Sequence, residues 1–95
     1  DYAEDLIKKA LLIMPENGAY IDSYGWVLYK KGEHKAALEQ MLLAYKYIQN
    51  DAAILEHLGD VYKAIGDTAN ARLFWQKTLE IDPNNNSVIE KLKVQ

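Results

Sequence analysis

The side chains able to do chemistry are few and loosely grouped. The chain has two histidines, His34 and His57, and no cysteine, which excludes disulfides, thiolate zinc sites and cysteine nucleophiles together. His57 follows Glu56 and precedes Asp60 by three positions, a set that could in principle ligate a metal or exchange a proton. Ligation needs convergent geometry and a supporting outer shell, and the HExxH spacing that turns two imidazoles to one helix face is absent. No Gly-rich loop is spaced to cradle phosphate, and no Ser-His-Asp arrangement stands out. His57 therefore reads as a surface polar residue and His34 as a packing residue. No catalytic, metal or cofactor-binding residue is assigned, and no enzymatic activity is expected. The other noteworthy side chains are Trp26 and Tyr29, two aromatics one helical turn apart.

The elements that position these residues follow from an internal repeat. Gly25 recurs 34 residues later as Gly59, and Gly32 as Gly66. The same interval links Ala3, Ala37 and Ala71; Ala10, Ala44 and Thr78; Pro15, Gln49 and Pro83; and Asn17, Asp51 and Asn85. Six registers agreeing on one period mark a repeat architecture. Asn17, Asp51 and Asn85 are good N-cap residues, each followed by an amphipathic stretch over 18–31, 52–65 and 86–94. Gly32 and Gly66 sit where a left-handed C-cap is needed. Second helices are expected over 35–48 and 69–81, and over 2–14 by the same pattern. Pro15 and Pro83 end their helices. Gly25 and Gly59 fall in mid-helix, where glycine costs about 1 kcal/mol relative to alanine. Close helix–helix approach accounts for them, with Ala37 and Ala71 expected opposite.

These positions resemble the tetratricopeptide (TPR) repeat, a 34-residue helical hairpin with small and aromatic signature residues. One unit carries Leu55, Leu58, Gly59, Tyr62, Gly66, Ala71, Trp75, Thr78 and Pro83 at the signature positions. Another carries Ile21, Tyr24, Gly25, Leu28, Gly32, Ala37, Met41, Ala44 and Gln49. The resemblance covers the whole chain, and the run Asp22–Tyr29 is similar to bacterial members. It implies an all-α, right-handed superhelical stack of about six helices. Residues 1–17 would be the second helix of a truncated repeat, 18–51 and 52–85 full repeats, and 86–95 a C-terminal capping helix with Lys93 in place of the expected glycine. The opening at Asp1 is expected to be a cut within a longer protein.

The family implies non-catalytic binding of a protein or peptide segment in a concave groove lined by first helices. By that resemblance the groove face carries Asp22, Ser23, Trp26, Tyr29 and Lys30, then Glu56, His57, Asp60 and Lys63, then Glu90 and Lys91. Trp26 and Tyr29 either line this groove or pack on a neighbouring repeat. Its acidic members favour a basic or mixed-charge partner and oppose the clamping of a terminal carboxylate that some members perform. The alternative is an assembly module that self-associates or packs on another domain through the edge left at the N-terminus. A net charge of −3, from 14 acids against 11 bases, lacks the basic stripe that nucleic acid requires. The longest apolar run, Ala10–Met14, is too short for membrane insertion. Lack of cysteine suits cytoplasm and periplasm equally.

Overall fold

The computed structural model describes residues 1–94, and these are all-α: α1 (Tyr2–Ile13), α2 (Gly18–Lys30), α3 (His34–Tyr47), α4 (Ala52–Ile65), α5 (Thr68–Ile81) and α6 (Asn86–Lys93). The helices pack in sequential pairs, α1 on α2, α2 on α3, α4 on α5 and α5 on α6. They form two compact units, Asp1–Ile48 and a second beginning at Gln49. Among the described residues no helix is long and apolar enough to cross a membrane.

Local chemistry sets the helix ends. The side chains of Asn17, Asp51 and Asn85 accept the backbone N–H of Tyr20, Ile54 and Val88 at 3.0, 3.2 and 3.1 Å. Asp1 and Asp67 cap α1 and α5 in the same way, through Glu4 and Asn70. Gly32 and Gly66 adopt φ of 84° and 95°. That conformation carries a penalty for any residue with a Cβ, and it turns the chain back so that the next helix runs antiparallel.

In the first unit Ile21, Leu28, Ala37, Met41 and Ala44 are buried. In the second, Leu55, Leu58, Ala71, Trp75, Thr78 and Val88 are buried. Tyr62, Leu79 and Leu92 pack against the cluster of Ala71, Trp75 and Val88, and the Tyr62 and Phe74 rings stack at 5.6 Å. Thr78 takes a position that is alanine elsewhere in the repeat, because its hydroxyl donates to the Phe74 carbonyl at 2.9 Å and so buries no unpaired polar group.

The mid-helix glycines do mark close approach, but Ala37 and Ala71 are not their nearest neighbours. A Cβ on Gly25 would stand 3.1 and 3.2 Å from Cε and Sδ of Met41, and one on Gly59 would overlap the Trp75 indole. Antiparallel helices match residues at similar distances from their turn. Gly25 lies seven residues before Gly32 and Met41 nine after it, whereas Ala37 lies only five after it. The alanines are fully buried but closer to the turn.

The two sites differ in how readily they yield. The Met41 thioether is a flexible chain end, and alanine would recover about 1 kcal/mol of helix propensity at Gly25. The Trp75 indole is a rigid plate held by contacts around it, and overpacking such a site costs about 1–3 kcal/mol. Gly59→Ala is therefore expected to lower stability by about 1–2 kcal/mol more than Gly25→Ala, which should stay within about 1 kcal/mol of the parent. Urea melts measure both, and equal losses would show that the indole does not set the α4–α5 separation.

Candidate functional site

Repetition of one helical framework leaves function to whatever side chains project from it. The first unit carries an aromatic row along the end of α2. Trp26 and Tyr29 are three residues apart and so share a helix face. Their rings stack with centroids 4.8 Å apart, and the Tyr29 ring meets the His34 imidazole at 5.4 Å. The Lys30 ammonium stands over the Trp26 ring at 5.3 Å. Trp26, Tyr29 and His34 are half-buried and Lys30 is exposed, so the row presents a fixed apolar surface with a cation at its edge. The two other residues expected on this face offer less. Asp22 retains only 9% of its accessible surface, and the Ser23 hydroxyl donates to the Ala19 carbonyl of its own helix at 3.0 Å.

The second unit draws its charged residues into one internal network. Lys91 on α6 donates to Glu56 at 2.9 Å and to Asp60 at 2.8 Å, both on α4. The Asn85 side-chain amide donates to Glu56 at 2.9 Å, and the Trp75 indole N–H donates to Asp60 at 3.2 Å. Burial alone would raise the Glu56 carboxyl. The hydrogen bonds from Lys91 and Asn85, with the Lys91 charge, outweigh that and hold it below the usual carboxylate range. Burial would likewise lower Lys91, but Asp60 and Glu56 hold it above the ordinary lysine value. Lys63 lies 6.0 Å from the Trp75 ring centroid, and Glu90 makes an exposed 3.5 Å pair with Lys93. His57 is half-buried. Among the described residues no three acidic or imidazole groups converge as metal ligands would. Glu56, Asp60 and Lys91 thus come together, while Lys63 and Glu90 remain on the periphery.

A further charge cluster escapes sequence reading. Glu4 on α1 is nearly buried, and its carboxylate takes Lys31, at the end of α2, at 2.8 Å and Lys8 at 3.0 Å. Lys8 also stands over the Tyr24 ring at 5.8 Å. The spacing of Glu4 and Lys8 announces an i, i+4 pair. Nothing in the sequence announces Lys31, 27 positions away. Hydrogen bonding to Lys31 and then to Lys8 lowers the Glu4 carboxyl to about 2.

Neither a scan against protein-family models nor a search of curated proteins found a match to this chain. The candidate site is accordingly defined by its own geometry.

Two outcomes test that geometry. A carboxyl whose folded value lies below its unfolded one stabilises fully above the unfolded value, and the contribution is lost as pH falls towards the folded value. The docking of α1 on α2 is therefore expected to weaken from about pH 4.5 down to about 2, seen as loss of amide protection over α1. Glu4→Gln should remove this acid sensitivity, and unchanged pH dependence in that variant would exclude the clamp. In the second unit, Lys91→Met leaves two carboxylates one turn apart on α4 without their cation. A cost of about 1–3 kcal/mol is expected, with preferential loss of protection in α6. A stability equal to the parent's would mean that solvent compensates the pair fully.

Proposed function

We propose that this chain is a helical-repeat scaffold of the tetratricopeptide kind that binds a protein or peptide segment noncovalently and performs no chemistry of its own. The half-exposed stack of Trp26 on Tyr29, extended by His34, is the observation that supports this reading most. Aromatic side chains that expose part of a ring, and are already ordered by one another, lose little conformational freedom on binding. Tryptophan and tyrosine are also the residues most enriched among those dominating interface energies.

The favoured partner is a mixed-charge segment with an apolar or aromatic side chain to lay on the row. Lys91 neutralises Glu56 and Asp60 internally, so these carboxylates attract a basic partner less than their number alone implies. The exposed Lys30 beside Trp26 suits an acidic group flanking the anchor. The salt dependence of binding should therefore be shallow, since apolar contact contributes more than screened charge. A second reading, an assembly module, draws support from the apolar residues that α1 exposes, among them Leu6, Leu12 and Ile13.

Peptides selected from a displayed random library against the whole chain provide the test, followed by fluorescence titration of the winners. Trp26→Ala and Tyr29→Ala are each expected to weaken binding by about 2 kcal/mol, roughly thirtyfold. Lys77→Ala on α5 should leave it unchanged, and circular dichroism checks that all three variants fold. Peptides lost with Lys77→Ala but indifferent to both aromatic changes would overturn the aromatic-row reading.

A further inference from the structure

We propose that the face of α1 formed by Ala3, Leu6, Ala10 and Met14 is a docking site for an amphipathic helix of another polypeptide. That helix would carry a glycine where it crosses α1. The surface is distinct from the aromatic row on α2, and the inference does not depend on how that row is used.

The argument comes from α5, which the 34-residue period makes equivalent to α1 two repeats on. α5 is packed on two sides within its unit. One side meets α6, where the Arg72 guanidinium donates to the Leu92 carbonyl at 3.0 Å and Leu79 joins the shared cluster. The other side meets α4, where Trp75 lies against Gly59 and Phe74 stacks on Tyr62. Subtracting two periods maps Arg72 and Leu79 to Glu4 and Leu11. Glu4 turns to α2, where it takes Lys31, and Leu11 on the same face is half-buried. The side of α5 that grips α4, with Ala71, Phe74 and Thr78, maps to Ala3, Leu6 and Ala10. On α1 that side is open: Leu6 is 48% and Met14 49% exposed.

The middle repeat shows what such a face accepts. On α3, Gln40, Ala44 and Ile48 are the equivalents of Leu6, Ala10 and Met14. They meet α2 where it carries Gly18 and Gly25, with Ile48 against Gly18 and Gln40 beside Gly25. The face is thus shaped for a helix that is bare at the crossing, with aliphatic residues on either side of the glycine. A second copy of this chain does not supply one. Its α2 and α4 are packed on α3 and α5, and its α6 carries Asn86 and Lys93 at the positions where α2 has Gly18 and Gly25.

The test uses α4 as the probe, since it already fits this kind of face. Residues 51–68 are duplicated ahead of Asp1 in the full chain, which preserves the 34-residue register and the glycine turn. A covalent graft removes the weak helicity of a free peptide of this length as an objection. The graft is expected to raise the melting temperature by about 4 °C or more and to slow amide exchange at Leu6 and Ala10. Replacing the glycine in the graft (Gly59→Leu in the duplicated copy), or Ala10→Arg in α1, should abolish both gains. Unchanged melting and exchange in the graft, or gains indifferent to both substitutions, would overturn the proposal. Sedimentation of the ungrafted chain provides the second arm. A monomer is expected, and a dimer dissolved by Leu6→Glu would overturn the proposal in favour of a second copy as the occupant.

Discussion

The contact on which the second unit depends is the Trp75 indole laid against the bare backbone of Gly59. A side chain of that size can be 99% hidden between two helices only if the facing helix gives up its own side chain at the crossing. Burial then creates a polar obligation, because an indole N–H removed from water must find an acceptor. Asp60, the residue after the glycine, provides it. A carboxylate so placed in turn needs a cation, and Lys91 reaches it from α6 while also taking Glu56 one turn away. Asn85 closes the network, capping α6 with its amide oxygen and donating to Glu56 with its amide nitrogen. Among the described residues no buried side-chain polar atom lacks a partner.

The first unit solves the same crossing differently, and the difference accounts for its surface. Met41 replaces Trp75 and has no N–H to satisfy. The position equivalent to Asp60 is then relieved of its acceptor role, and Trp26 occupies it. Its ring stacks on Tyr29 instead of serving the interior of the hairpin. The unit's buried ion cluster lies elsewhere, where Glu4 ties α1 to the end of α2 through Lys31. One framework thus yields a polar, self-satisfied face in one unit and an aromatic one in the other.

The limits of helices are written locally in this chain. An N-cap acts on an amide two or three residues away, a C-cap glycine on its own φ, and an apolar stripe through neighbours three and four positions apart. Reading Asn17, Asp51, Asn85, Gly32 and Gly66 in that way placed all six helices within a residue of where they lie. The mid-helix glycines likewise announced close approach, because nothing else explains their cost.

What filled those glycines was decided by tertiary structure. Met41 and Trp75 lie 16 residues beyond Gly25 and Gly59, and small residues nearer the turn were equally plausible partners until the pairing of the antiparallel helices was fixed. The same holds for charge. The sequence displays Glu56, Asp60 and Lys91 as three ions on repeat faces, and only the packing of α6 brings an ammonium from 31 positions away within 2.8 Å of Asp60. Glu4 and Lys31 meet in the same way. Helix geometry fixes distances along one helix to within a turn. Distances between helices depend on crossing angle and side-chain volume, which belong to the packed structure and to no single stretch of sequence.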